Sequence, residues 1–544
     1  MSGVEAAAAG LALALSFALL ATRRVGGAAW ICAAQTALVA LAALAAAHPA
    51  VALIELGEAA AWPWLMGRLP DAPRPAAVGR WRPPVILAAG LLAASAAAQP
   101  GAGLPLAVVM LGVWLLAAGG QPRLQVIGVI GVQNSTALAG LIGGAPGWAL
   151  ALAVMPLLPL LAIGGLWPGV ARLRTLDVLT GRRTALPDAI GCSAILLAAC
   201  VLPWQASMAG AVWRLDPLAA LAALLIAGVA SAASWSRLLA AAGRPAGAAD
   251  PLPQGARLVV LAGSMLAVLS AGILLAWLGL FVATVGCLAL SPARGARAWR
   301  ALMLGCAGLG LALFGSVVLA AGNAPILAGT SLMVGYGTLA TMAPELLLAG
   351  ITLTLRLRPA LGTALDPALA GSMLIAAGLV ALLSAALGLA IGGPRRRLPL
   401  AGLGQGGLVV LACGLGGPSA ALAGTLQLAL LALTQSALLL SREGGLDRLV
   451  AMAGLAGVPP FGLFPGLALI LAAAAARSPW LLLPLGAGVA GIAGAVLTHL
   501  PARRPAPAAA LPLAWLPLAL LLLLGFAMPD PVLAWLRTAA AELP

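Results

Sequence analysis

The sequence predicts an all-α, polytopic integral membrane protein. Of its 544 residues, 63% are hydrophobic and 8% are charged, and the mean hydropathy is +1.10; soluble proteins carry roughly 25% charged residues. Apolar runs long enough to form membrane-spanning helices recur along the whole chain. A sustained alternation of period 2 does not occur, so a transmembrane β-barrel is not predicted.

Each predicted span is an apolar run of about the length that a helix needs to cross the hydrocarbon core. The spans are 5–22, 28–47, 49–66, 84–99, 103–120, 124–143, 147–171, 187–206, 216–234, 258–274, 275–291, 301–321, 325–341, 344–356, 367–392, 399–415, 418–440, 449–475, 480–499 and 511–527. The doublet at 325–356 is the least regular, so we predict about 18–20 transmembrane helices. No basic stretch precedes the first span, which predicts a retained helix and not a cleaved signal peptide.

The Arg residues between the spans predict the topology. All 29 basic residues are Arg, no Lys occurs, and the net charge is +15. Most Arg residues cluster on one side of the membrane, and the smaller set on the other side is Arg214, Arg356, Arg358, Arg477 and Arg537. Because cytoplasmic loops carry the excess of basic residues, we predict a multi-pass protein of the bacterial inner membrane with a periplasmic N-terminus.

The composition also argues against several classes of function. The Arg residues lie in short loops and are not interleaved with aromatic residues on a soluble module, so nucleic-acid binding is not predicted. The six Cys residues lie singly in apolar runs, which is typical of small buried side chains and not of metal, haem or iron–sulfur ligands. No nucleophile–base pair occurs, so we predict no cofactor, no metal site and no enzyme acting alone.

Glu55, Glu58 and Glu345 are the acidic candidates within predicted spans, where an ionisable side chain is costly and often functional. Glu55 and Glu58 are three residues apart on one helix face. They could form a proton-relay pair, or they could contact water or Arg from a helix at the membrane interface. Glu345 follows Pro344, and a charge at a broken helix can line a cavity; the alternative is an ordinary helix end.

Two uncharged polar groups interrupt apolar spans. One is the tetrad from Gln133 to Thr136, and the other contains Gln427, Thr434 and Gln435. Amide and hydroxyl groups in membrane helices bond to neighbouring helices. They carry no charge, so they can join helices or coordinate water but cannot store a proton.

Several strings in the second half of the chain occur in a family-specific order. They are LAWL at 275–278, GYGT at 335–338 with AP at 343–344, QLALLALTQSALLL at 427–440 and AGLAGVPPFGLFP at 453–465. In this order they resemble strings of the antiporter-like, proton-pumping membrane subunits of complex I and of hydrogenase-4-type complexes, above all component F of hydrogenase-4. The resemblance implies an antiporter-like bundle with broken helices.

The N-terminal part resembles a different subunit of the same complexes. Residues 123–177 contain QVIGVIGVQNSTALAGLIGG and are similar to component E of hydrogenase-4, which carries a membrane Glu in the corresponding string. The chain thus resembles an E-like module fused to an F-like module. We predict an E-like module at 1–185, an F-like module at 186–500, and a C-terminal transmembrane helix and tail at 501–544.

The positions that carry protons in the family are neutral here. Carried over by position, the family's Glu–Lys pair corresponds to Leu278 and Leu339, its relay Lys to Gln435, its relay His to Gln427, and its E-module Glu to Gln133. Leu and Gln do not exchange protons near neutral pH. The resemblance therefore implies a retained scaffold whose usual proton route is lost.

From this resemblance we expect a membrane-arm subunit of a complex I-like or hydrogenase-4-like respiratory, energy-converting complex. Its expected role is structural or docking, without proton pumping by the family's route. The expected partners are the lipid bilayer, other membrane subunits and a peripheral redox module. The alternative is an ion or small-molecule transporter with a rewired path through Glu55, Glu58 and Glu345.

Overall fold

The computed structural model describes most of the chain from residue 25 onwards. The described residues are 25–67, 122–143, 181–242 except 206 and 211, 255–290, 296–320, 325–362, 365–391, 397–441, 445–459, 462–498 and 513–543, with parts of 11–15 and 105–112. The predicted spans 84–99 and 147–171, and most of 5–22 and 103–120, lie outside these residues.

The described elements are almost entirely helical. In chain order the α-helices are α1 (Val25–Ala45), α2 (Pro49–Gly67), α3 (Pro122–Gly143), α4 (Gly181–Ala199), α5 (Pro217–Ala242), α6 (Ala256–Leu269), α7 (Ile273–Leu290), α8 (Ala296–Ala320), α9 (Pro325–Ala340), α10 (Pro344–Gly362), α11 (Pro367–Ile391), α12 (Arg397–Leu415), α13 (Pro418–Leu440), α14 (Leu446–Leu455), α15 (Phe464–Arg477), α16 (Leu482–Leu497), α17 (Trp515–Phe526) and α18 (Asp530–Ala541). Short 3₁₀ turns cover Leu202–Trp204 and Pro479–Leu481. Between α4 and α5, the two-residue strands β1 (Met208–Ala209) and β2 (Arg214–Leu215) pair antiparallel, with Met208 opposite Leu215.

Most predicted spans within the described residues overlap one helix each, although some ends differ by several residues, as for 216–234 against α5. The all-α polytopic class is confirmed. The predicted 418–440 has the bounds of α13, and 367–392 differs from α11 by one residue. Several helices begin with Pro, whose fixed φ and missing N–H suit the first helical position. These are α2, α3, α5, α9, α10, α11 and α13.

Two predicted spans are wrong in detail. The run 449–475 is divided into α14 and α15 by a turn in which Gly457 and Gly462 have φ of 74° and 71°, which side chains rarely adopt. The predicted span 511–527 contains α17, but a second helix, α18, follows it. The chain bends by 84° between these two helices. Pro529, in extended conformation, precedes the start of α18 and cannot continue a helix from α17.

Six of the described helices are long and apolar enough to cross a membrane, or seven if α17 and α18 form one broken span. Shorter apolar helices include α6, α9 and α15. The predicted total of about 18–20 includes spans outside the described residues and stays a prediction.

Contacts divide the chain into two compact units. The first contains Met1–Arg172 and Ala293–Gly335, and the second contains Leu173–Pro292 and Tyr336–Pro544. Within the first unit, α1 packs against α2 and α3, and α3 packs against α8. The predicted modules at 1–185, 186–500 and 501–544 were drawn from resemblance to separate subunits and not from contacts. These module boundaries stay a prediction.

In the second unit, small residues allow neighbouring helices to approach closely. On α6 and α7, a Cβ at Gly263 would lie 2.4 Å from the backbone N of Ala283, and one at Gly279 would lie 2.5 Å from that of Ala267. Helix α13 packs against α5, α12, α15, α17 and α18. Its side chains from Ala423 to Ala432 are buried, so α13 is the centre of this unit.

Candidate functional site

In the first unit, the structure brings two predicted site residues together. Gln133 on α3 donates a hydrogen bond from Nε2 to Oε2 of Glu58 on α2, at 2.6 Å. Both side chains are buried. Gln133 therefore supplies an amide that binds a carboxylate from another helix.

Glu55 lies one turn before Glu58 on α2 and is 1% exposed. Neither of its carboxylate oxygens has a hydrogen-bond partner among the described residues, and neither has Oε1 of Glu58. A buried carboxyl group needs a proton, a cation or water to offset the loss of hydration. The Glu55–Glu58 pair is therefore the most poorly compensated acidic group in the described part of the first unit.

A second polar group joins α1 to α3. Asn134 donates from Nδ2 to Oγ1 of Thr36 at 3.1 Å, and the same nitrogen lies 3.4 Å from Oε1 of Gln35. Gln35 donates in turn to the carbonyl oxygen of Ala12 at 3.1 Å. Gln35 and Thr36 were not among the predicted site residues. Their position side by side in the apolar span 28–47 could have indicated this contact.

In the second unit, Glu345 forms a buried ion pair. It lies in the first turn of α10 and is fully buried, and its Oε1 accepts a hydrogen bond from Nη1 of Arg257 at 2.6 Å. Arg257 is the second residue of α6, and its side chain is 13% exposed. Glu345 thus lies at a helix end, where an Arg from the predicted cytoplasmic side neutralises it.

The same end of the second unit holds a further acid and base. Asp188 on α4 accepts the backbone N–H of Gly255 at 2.8 Å and lies 3.7 Å from Nη1 of Arg237 on α5. Gly255 has φ of 79° and directly precedes α6. Two acids and two Arg residues therefore hold the start of α6, and their formal charges cancel.

At the other end of α10, the helix supplies the Arg of the ion pair and the neighbouring segment supplies the acid. Arg356 donates from Nη2 to both carboxylate oxygens of Asp216 at 3.0 Å, and from Nη1 to the carbonyl oxygen of Val268 at 2.7 Å. Asp216 also pairs with Arg214 at 2.7 Å and accepts the N–H of Ala219 at the start of α5. Helix α10 is thus fixed by ion pairs at positions roughly 16 Å apart along its axis.

A chain of buried amides crosses the centre of the second unit. Gln427 on α13 donates to Oε1 of Gln405 on α12 at 3.1 Å, and Gln405 donates to the carbonyl oxygen of Leu455 at the end of α14 at 3.0 Å. A Cβ at Gly466 would lie 2.2 Å from Oε1 of Gln427, so α15 also approaches this point. Gln405 was not a predicted site residue. The sequence feature that could have identified it is the presence of an amide side chain inside the apolar span 399–415.

The remaining predicted positions offer no titratable group. Gln435 is buried on α13, and its Nε2 lies 2.6 Å from the place where a Cβ at Gly402 would be. Leu339 is buried near the end of α9, and Leu278 is half-buried on α7. Among the described residues, no group of three or more His, Cys, Asp and Glu could hold a metal ion. The arrangement can join helices and bind water, but its mapped relay positions cannot pass a proton.

We expect the Gln427→Leu variant to lose about 1–3 kcal/mol of stability, because the buried Oε1 of Gln405 would lose its donor. Thermal unfolding of the purified full chain in detergent measures this loss. Ser372→Ala is the matched control, since Ser372 is an exposed hydroxyl that bonds to the backbone of its own helix. An equal melting temperature for Gln427→Leu and the control would show that the hydrogen bonds of the amide chain do not stabilise the protein.

No protein-family model matches the sequence, and no curated protein matches it. Solved structures do match in fold. A chain of the Mrp complex from Dietzia sp. is similar with a TM-score of 0.55 at 19% identity, over 71% of this chain and 52% of that one. This chain therefore spans about half the length of that Mrp chain.

Two further similar structures are matched over nearly their whole length. A chain of the membrane-bound sulfane sulfur reductase, an archaeal respiratory membrane complex, has a TM-score of 0.52 at 16% identity, over 81% of this chain and 97% of that one. A chain of respiratory complex I from Thermus thermophilus has a TM-score of 0.51 at 18% identity, and the match covers 72% of this chain and 99% of that one. This protein therefore shares its fold with membrane chains of the Mrp complex, of the membrane-bound sulfane sulfur reductase and of respiratory complex I.

Proposed function

We propose that the protein is a membrane-arm subunit of a complex I-like or hydrogenase-4-like respiratory complex, in which it has a structural or docking role. The fold supports membership of a multi-subunit membrane assembly, since the similar chains belong to such complexes. The proposed partners are other membrane subunits and a peripheral redox module. We also propose the bacterial inner membrane as its location, with a periplasmic N-terminus.

One observation carries the proposed loss of proton pumping. Gln427, which the resemblance aligns with the family's relay His, bonds to Gln405, and this amide chain ends on the backbone carbonyl of Leu455. Neither amide can accept and release a proton near neutral pH. Glu345, the buried acid of α10, is bound to Arg257, so it supports the packing of α10 and does not replace the missing groups.

Co-purification tests the proposed membership. An affinity tag on the chain, expressed at its natural level, should retain other membrane subunits and a redox module after mild detergent extraction, as identified by mass spectrometry. Recovery of a stable chain without any stoichiometric membrane partner would contradict the proposal. The neighbouring reading frames should encode the same subunits.

Reconstitution tests the proposed absence of pumping. In proteoliposomes with a potassium diffusion potential and an internal pH dye, we expect proton flux no greater than in protein-free vesicles. A flux that saturates with the driving force and that requires the protein would contradict a purely structural role.

A second candidate, an ion or small-molecule transporter, is favoured by the Glu55–Glu58 pair. These carboxyl groups are buried, and three of their four oxygens have no hydrogen-bond partner among the described residues. If transport uses them, Glu58→Gln should reduce the flux by roughly a hundredfold or more, as expected for loss of a proton-transfer group. Asp530→Asn, at an exposed acid on α18, should leave the flux unchanged. Because Glu345 is neutralised, it adds little to this candidate.

A further inference from the structure

The hydrogen bond between Glu58 and Gln133 lies at the middle of both α2 and α3. Glu58 is nine residues from either end of α2, and Gln133 is eleven residues from the start and ten from the end of α3. At a rise of about 1.5 Å per residue, each helix extends about 13 Å or more on both sides of this contact. The sequence predicts both helices to cross the membrane, so the contact is expected near the centre of the bilayer, where bulk water does not compensate a buried charge.

Four oxygen atoms at this contact have no hydrogen-bond partner among the described residues. They are both carboxylate oxygens of Glu55, Oε1 of Glu58 and Oε1 of Gln133. All three side chains are more than nine-tenths buried. Because Nε2 of Gln133 donates to Oε2 of Glu58, the amide oxygen of Gln133 lies next to the same carboxyl group. Amide oxygens and ionised carboxylate oxygens only accept hydrogen bonds, so they cannot satisfy one another.

The electrostatics of the contact are also unbalanced. Glu55 and Glu58 repel each other, since side chains three residues apart on a helix are roughly 5–6 Å from one another. Among the described residues, no Arg is close enough to attract either carboxyl group. Cys32 on α1 and Trp62 on α2 also approach Glu58, and both are fully buried. The contact therefore collects negative charge in an enclosed place between three helices.

A cation would bind the unpartnered oxygens and offset the repulsion. Ca²⁺ takes six to eight oxygen ligands, and Mg²⁺ usually keeps several of its waters, whereas this enclosed contact offers four free oxygens. We propose that Glu55, Glu58 and Gln133 bind a small monovalent cation, of the class of Na⁺, between α2 and α3. One such ion together with one proton on the carboxyl pair leaves no net charge. The expected absence of a metal site was drawn from the isolated Cys residues, and it did not consider an amide from a distant helix.

Thermal unfolding of the purified full chain in detergent tests the site. The chain is prepared free of alkali-metal ions, and NaCl is titrated against choline chloride at constant ionic strength, with MgCl₂ in a separate series. We expect Na⁺ to raise the melting temperature in a saturable manner, because a ligand that binds only the folded state stabilises it. Choline is too large to enter between packed helices and should have no effect. Binding of radioactive Na⁺ to the wild-type chain measures the affinity directly.

Two variants assign the response to the proposed ligands. Glu55→Gln removes one carboxylate and should weaken Na⁺ binding by roughly a hundredfold or more, since groups that only orient metal ligands already change the affinity roughly 10–100-fold. Gln133→Leu leaves both carboxyl groups in place but removes the amide oxygen, and it should weaken binding roughly tenfold or more. Asp530→Asn, at an exposed acid on α18, should bind Na⁺ as the wild type does.

Three results would overturn the proposal. They are equal responses to Na⁺ and choline, a stronger response to Mg²⁺ than to Na⁺, and Na⁺ binding that both Glu55→Gln and Gln133→Leu leave unchanged. The site goes beyond the proposed structural role, because an ion can be bound without being transported. Binding is measured without partner subunits and without a gradient, so its outcome is separate from those of co-purification and reconstitution.

Discussion

Replacing Arg257 by Gln should destabilise the protein by about 3–5 kcal/mol, because the buried carboxylate of Glu345 would lose its opposite charge. Glu345 is fully buried, and among the described residues its carboxylate accepts one hydrogen bond, from Nη1 of Arg257. Equilibrium unfolding of the full chain in detergent micelles measures the change. Arg537→Gln, at an exposed position, should change the stability by less than about 0.5 kcal/mol.

The double variant Arg257→Gln/Glu345→Gln identifies the cause. Two neutral amides carry no desolvated charge, so the double variant should recover most of the stability that the single variant loses. If Arg257→Gln is as stable as the control, or if the double variant is no better than the single one, the ion pair does not hold α10 in place.

We expect Gly279→Ala to be the second most damaging of the substitutions considered, at about 3 kcal/mol, which is at the upper end for an overpacked core. The new Cβ would lie 2.5 Å from the backbone N of Ala267 and 2.7 Å from the carbonyl oxygen of Gly263. Both neighbours are backbone atoms of α6, so relief requires the two helices to separate. Thermal unfolding and protease sensitivity of the α6–α7 segment measure the effect.

Gly494→Ala is the control for this prediction. Gly494 lies inside α16, and a Cβ there would have no atom within 4 Å. Because Ala is the better helix former by about 1 kcal/mol, the control should be unchanged or slightly more stable. Equal losses in both variants would indicate that the effect arises from glycine as such and not from the approach of α6 and α7.

The helices could be predicted from hydropathy because the bilayer imposes both their length and their composition. Span 418–440 has the observed bounds of α13 for this reason, with Pro418 at its start. The division of 449–475 was harder to predict, since its residues remain apolar through the break. Gly457, Pro459 and Gly462 mark the turn, and Gly and Pro are common in intact membrane helices too.

The candidate site was predictable only in part. The tetrad at Gln133 was recognised as polar within an apolar span, but its partner Glu58 lies 75 residues away, and periodicity carries no information about such contacts. Arg257 was assigned to a loop cluster that determines topology, because an Arg beside a span usually has that role. Its burial against Glu345 depends on how α6 and α10 pack, which a single sequence does not encode locally.

The two ion pairs of α10 also constrain the order in which the protein can be completed. Arg257 precedes Glu345 by 88 residues, and Asp216 precedes Arg356 by 140. During synthesis, each earlier charge enters the membrane region well before its partner has been translated. The charge of Arg257 at the start of α6 therefore lacks its partner Glu345 until α10 is inserted. We expect a chain truncated before residue 345 to be degraded early by membrane quality-control proteases.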